Sequence, residues 1–140
     1  MKILLPVDGS EYTRRMLSYL STRKDLLDAG HDYIALTIIT PIPRHAASYL
    51  DRDAIDDYYR EEAEKVLEPV RKVAQDNGWR LQTAYAAGHA AETIAARAKA
   101  ENVDLIVMGT HGHSALGGMI LGSVTTGVLA RCTVPVLLVR

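Results

Sequence analysis

Residues Lys2–Ser10 read KILLPVDGS. A short, continuously apolar run bounded by Asp8-Gly9 reads as a strand buried on both faces. Pro6 falls at its end, where a lost ladder bond costs least. Ser10 then reads as a helix N-cap, with Glu11 in the first turn. The chain therefore opens strand–turn–helix, and the rest repeats that unit. Met16, Leu17, Leu20, Leu26 and Leu27 predict a helical stripe ending at Gly30. YIALTII (33–39) is a second buried strand, closed by Pro41 and Pro43. Residues 44–51 have no clear period and read as a loop.

Tyr59, Ala63, Val66, Leu67, Val70 and Val73 follow helical spacing up to Gly78, with a kink expected at Pro69. RLQTAY (80–85) alternates like a half-exposed edge strand. Residues 90–100 form an alanine-rich helix, DLIVM (104–108) a fourth strand, 124–131 a short helix, and VPVLLV (134–139) a fifth strand. The order βαβαβαβαβ implies an α/β fold. It predicts a single domain over residues 1–140 with a five-stranded parallel sheet flanked by helices on both faces. The arrangement is Rossmann-like, with strand order 3-2-1-4-5.

In such sheets ligands sit beyond the carboxyl ends of the strands, where the winding reverses. Two loops meet there if strands one and four are neighbours. One is Pro6-Val7-Asp8-Gly9-Ser10. The other, GTHGHSALGGMILGSVTT (109–126), holds five glycines between Gly109 and Gly122 and no lysine or arginine. It returns through Gly122-Ser123 into a helix N-terminus, where free N–H groups and the helix dipole favour an anion. Ser123, Thr125 and Thr126 add hydroxyl donors. This chemistry suits a phosphate.

The spacing G-x2-G-x9-G-S, carried by Gly109, Gly112, Gly122 and Ser123, resembles that of the ATP-binding universal stress proteins. VDGS, DLIVMGTHG, LGSVTTGVL and VPVLLVR stand in the family's order along nearly the whole chain. The resemblance implies that Pro6, Val7 and Asp8 line the adenosine, with the aspartate near the ribose and any cation. It places Ile38 beside the adenine and Met108, Gly109 and Gly112 under the ribose and phosphates. Gly122, Ser123, Val124 and Thr125 become the phosphate cradle. It further implies ATP, ADP or AMP with Mg2+ or Mn2+, and a homodimer, often built by pairing the last strands. The apolar edge strand 134–139 points to the same dimer.

Two departures stand out. Relatives often carry lysine or arginine where this chain has His113, and proline where it has Ala90. With only His111 and His113 titratable in the loop, nucleotide affinity should be modest and rise as pH falls toward 6. The histidines His31, His45 and His89 read as surface residues, Cys132 as a small buried side chain, and Tyr58 and Tyr59 as packing.

Composition narrows the function classes. Hydrophobic residues make up 48% and charged residues 24%, and 16 basic side chains nearly balance 17 acidic ones. That balance predicts neither a nucleic-acid surface nor membrane insertion. One cysteine and no signal-like or membrane-length apolar run predict a cytoplasmic protein. No G-x4-G-K-[ST] lysine or nucleophile–base motif is present. A phospho-receiver domain wants an acidic cluster and a late lysine, and no lysine follows Lys99. The expectation is a nucleotide-binding regulatory protein with a possible protein partner. The alternative is a weak, metal-dependent ATP hydrolase or phosphotransferase.

Overall fold

Strand β1 (Lys2–Pro6) lies at the centre of the sheet, paired in parallel with β2 (Asp32–Ile39) on one side and β4 (Leu105–Gly109) on the other. Strand β3 (Arg80–Ala87) pairs outside β2, and β5 (Val136–Val139) pairs outside β4. The order is β3-β2-β1-β4-β5, as expected. The computed structural model describes residues 1–113 and 115–140.

The central position of β1 follows from its composition. Successive side chains point to opposite faces, so a strand covered on both sides needs apolar residues at every position. Ile3 and Leu5 join Tyr33, Ala35 and Val107 on one face. Helices α1 (Glu11–Thr22) and α3 (Arg52–Asn77) cover that face with Met16, Leu17, Leu20, Leu67 and Val70. Leu4, Ile34, Leu36, Ile106 and Met108 form the other face. Helices α4 (Ala90–Ala100) and α5 (Ser123–Arg131) cover it with Ile94, Ala98 and Val128. Edge strand β3 alternates between exposed and half-buried residues as far as Thr83, but Ala84 is half-buried too and the phase reverses there, with Leu81 packing on one face of the sheet and Ala84 on the other.

Helix α3 has recognisable ends. The Asp51 carboxylate accepts from the Ala54 N–H at 2.7 Å, and Gly78 ends the helix at φ 68°. The helix continues through exposed Pro69, so the expected kink does not divide it. Several other expectations need correction. Helix α1 stops at Thr22, leaving Leu26 exposed and Leu27 buried in a separate turn. The apolar spacing jumps from Leu20 to Leu26, too far to keep one face on the core. Gly30 closes an Asp28 turn instead of a helix, its N–H donating to Asp28 Oδ1 at 2.8 Å. Residues 44–51 begin with one helical turn, α2 (Arg44–Ala47), after Pro43. Cys132 is half-buried against the α4/α5 core, not fully enclosed. Among the described residues no helix is long and apolar enough to cross a membrane.

Candidate functional site

The winding reverses between β1 and β4, and their carboxyl ends open into one crevice. Asp8 joins the two loops there. Its Oδ1 accepts from the Ser10 N–H and the Thr13 hydroxyl, both at 2.9 Å. Its Oδ2 accepts from the His113 N–H at 3.2 Å, and its carbonyl accepts from His113 Nε2 at 2.6 Å. Thr13 Oγ1 accepts from the Asp8 N–H at 3.1 Å, closing a small ring. Burial pushes the Asp8 carboxyl up, but Ser10, Thr13 and the nearby His113 outweigh it and hold the carboxyl below its usual value. Ser10 occupies the α1 N-cap position without capping through its side chain. Its hydroxyl is buried and makes no hydrogen bond.

The glycines set how closely these loops approach. A Cβ on Gly109 would stand 2.7 Å from Tyr12 Cβ, so β4 ends directly against the first turn of α1. A Cβ on Gly112 would collide with Asp8 Oδ2. At the far end of the loop, the Gly122 N–H donates to the Thr110 carbonyl at 2.7 Å. His111 fastens the same base. Its Nε2 donates to the Met119 carbonyl at 2.9 Å, so Nδ1 accepts from the Thr110 hydroxyl at 2.9 Å. The ring also packs on Tyr12, with centroids 5.0 Å apart. Both ring nitrogens therefore serve the loop itself, and the expected contribution of His111 to phosphate charge does not fit this geometry.

A cavity of about 240 Å3 lies between the loops and the α4/α5 layer. Pro6, Val7, Leu36, Ile38 and Met108 form its apolar floor, and Ala90, Ile94 and Val124 its side. Asp8, Thr13, His111, Gly112, His113 and Ala115 border it above, and Gly122, Ser123 and Thr125 close one end. Of the residues singled out by the sequence, Pro6, Val7, Asp8, Ile38, Met108, His111, Gly112, His113, Gly122, Ser123, Val124 and Thr125 line this cavity, and Thr126 does not. Neither does Gly109, which is buried behind the lining against Tyr12. Leu36 was not anticipated, although it precedes Ile38 by one period of the same strand face. Thr13, Ala90 and Ile94 were missed because nothing local marks them as facing a crevice.

The hydroxyl inventory also changes. Thr125 donates to the carbonyls of Gly109 and Thr110 at 3.0 and 3.2 Å, and Thr126 donates to Gly122 at 2.9 Å. These hydroxyls hold the loop and are not directed at a ligand. Ser123 is exposed at the helix start. The amides of Ser123, Val124 and Thr125 occupy the first turn of α5, where no side chain caps them. No lysine or arginine lines the cavity among the described residues. Nor do the described residues bring three His, Cys, Asp or Glu side chains together to hold a metal ion. The single carboxylate at the site is already committed to three donors, so these residues do not fit a protein-held divalent cation.

Comparison with known proteins agrees with this architecture. The universal stress protein family model matches residues 1–140. Universal stress protein YxiE of Bacillus subtilis is 33% identical over 150 residues, covering 99% of this chain and 98% of the relative. The solved structure of MJ0577, a universal stress protein of Methanocaldococcus jannaschii, superposes with a TM-score of 0.82 at 32% identity. That match covers 99% of this chain and 94% of the other. A universal stress protein from Archaeoglobus fulgidus, solved in complex with dAMP, shares the fold at a TM-score of 0.70 and 18% identity. It matches 100% of this chain and 98% of its own. With the sheet order, the crevice and the whole-length family match in agreement, the chain belongs to the universal stress protein family.

Proposed function

We propose that the protein binds an adenine nucleotide in the crevice between the loops after β1 and β4, and acts as a nucleotide-dependent regulatory module. One observation carries this reading: a single cavity joins an apolar slot to an uncapped helix N-terminus. The slot over Ile38 and Met108 takes the flat base and the ribose. The Ser123, Val124 and Thr125 amides take the first phosphate. The dAMP complex of the Archaeoglobus fulgidus protein, which has the same fold, supports this ligand class. We take ATP to be the working ligand. Mg2+ or Mn2+ then enters with the phosphates, because the described residues gather no cation site of their own.

Regulation acts through the glycine loop. Its outer part carries Leu116 and Ile120, 70% and 88% exposed. His113 ties the loop's inner arm to Asp8. A nucleotide that draws His113 toward its phosphates rearranges this apolar surface for a partner protein in the cytoplasm. Among the described residues the cavity lacks the fixed cations that a dedicated phosphoryl-transfer site supplies to developing charge.

The test begins with mass spectrometry of protein purified without added nucleotide, followed by calorimetric titration and a turnover assay. Binding of an adenine nucleotide with negligible turnover is the expected result. Substituting His113→Ala should change that affinity, because it removes the ring's tie between the loop and the Asp8 carbonyl. Failure of AMP, ADP and ATP to bind at millimolar concentration would remove the proposal. Multiple turnovers lost in Asp8→Ala would favour the hydrolase alternative.

Assembly is a second expectation. Strand β5 is an apolar edge, and a second copy pairing along residues 134–139 covers it by two-fold symmetry. Light scattering at micromolar concentration should give a dimer mass. A monomer at that concentration would contradict pairing through β5.

A further inference from the structure

The crevice does not end at Ser123. A second groove opens beside it and shares Ala90, Ser123 and Val124 with the first. One wall is the α5 stripe Ser123, Gly127 and Arg131, whose four-residue spacing puts them on one helix face. The other wall is the start of α4, including His89 and Glu92.

Gly127 shapes this groove. A Cβ there would stand 2.5 Å from Ala91 Cβ and 3.3 Å from Arg131 Nη1. Ala91 therefore takes the space a side chain at 127 would need, the guanidinium lies beside it, and Nη1 donates to the Gly127 carbonyl at 3.1 Å. Arg131 is thus folded back along its helix to a level about 6 Å of axial rise from Ser123. Its Nη2 faces Glu92 Oε1 at 3.8 Å, with side chains 46% and 63% exposed. A loose, exposed pair of this kind holds the guanidinium weakly. Among the described residues, Arg131 is the only lysine or arginine lining either groove. A planar guanidinium suits a phosphate that can accept two hydrogen bonds.

We propose that Arg131 supplies the fixed positive charge missing from the glycine loop, by binding the distal phosphate of a nucleotide whose first phosphate rests on the α5 amides. The assignment rests on the nucleotide reading above and adds a preference to it: ADP and ATP over AMP. On binding, Arg131 exchanges its loose contact with Glu92 for the phosphate. Glu92 then remains as an opposing charge that limits affinity.

Calorimetric titrations with AMP, ADP and ATP, without divalent cation, test this on the wild-type chain and on Arg131→Gln, Arg131→Lys and Glu92→Gln. Arg131→Gln should weaken ATP roughly fivefold, the scale of one partly solvated charge-assisted contact, and leave AMP unchanged. Arg131→Lys should restore part of the loss, because it keeps the charge without the fork. Glu92→Gln should tighten ATP by about twofold, the scale of one exposed charge, and leave AMP unchanged. Unaltered ATP affinity in Arg131→Gln, or equal weakening of AMP and ATP, would overturn the assignment and leave the nucleotide reading standing. Wild-type protein that binds none of the three nucleotides removes that reading and this assignment together.

Discussion

Replacing Gly109 with alanine is expected to destabilise the protein by about 1–3 kcal/mol, the usual cost of forcing extra volume into a packed site. The added methyl would meet Tyr12 Cβ at 2.7 Å and the Tyr12 and His111 carbonyls at 3.3 Å. None of these is the free end of a flexible side chain, so relief requires the first turn of α1 to move off the end of β4. That motion carries Thr13, which bonds Asp8, and Tyr12, which packs on His111. Nucleotide affinity should therefore fall together with stability. Denaturant melts and AMP titrations of Gly109→Ala provide the measurement. Gly117→Ala is the control: a Cβ there meets nothing within 4 Å, and its cost should stay within about 0.5 kcal/mol. Equal midpoints for the two variants would show that the α1–β4 contact is not tight.

Asp8→Ala is the second substitution with a large expected effect. It removes the acceptor for Ser10 N–H, Thr13 Oγ1 and His113 N–H. Hydrogen bonds to a charged group contribute about 1.5–3 kcal/mol each, but these share one half-exposed carboxylate and do not add. A net loss of about 2–3 kcal/mol is expected. The glycine loop should also exchange its amide hydrogens faster, since His113 loses its carboxylate partner. Exchange at wild-type rates across residues 112–113 and 115–121 in Asp8→Ala would refute the role of Asp8 as a strap.

The same carboxylate sets an acid limit. Its folded-state value lies below the ordinary one, so its contribution is fully present at neutral pH, above the unfolded-state pKa. That contribution is lost as pH falls through the lowered folded-state pKa, below about pH 4. Asp8→Asn keeps the shape but not the charge. The stability gap between wild type and Asp8→Asn should therefore be constant near neutrality and close on acidification. A gap that widens as pH falls would reverse the sign of this argument.

Much of the crevice was legible because its chemistry is local. The strand ends at Pro6–Asp8 and Met108–Gly109, the helix start at Ser123, and the glycine spacing each mark themselves by residue type. Other features depend on pairs far apart in the chain. Thr125 reads as a phosphate donor, yet its hydroxyl is held by the Gly109 and Thr110 carbonyls, sixteen and fifteen residues earlier. His111 and His113 look equivalent in sequence. One fastens the loop to itself and the other reaches Asp8 across 105 residues. Leu26 and Leu27 are both apolar and extend the helical pattern of α1 along the sequence; only the packed core separates the exposed residue from the buried one.

The amino-acid sequence by itself determined the alternation of strands and helices, the burial of KILLPV on both faces and the end of the sheet at which a crevice forms. Burial on both faces and the turn chemistry of Asp8-Gly9 and Gly78 are encoded within a few residues of each other. Tertiary structure alone decided which hydroxyls and ring nitrogens were spent inside the glycine loop and where Arg131 came to lie. Those outcomes depend on carbonyls and helix faces brought together by the crossovers, and no local pattern records which partner a donor will meet.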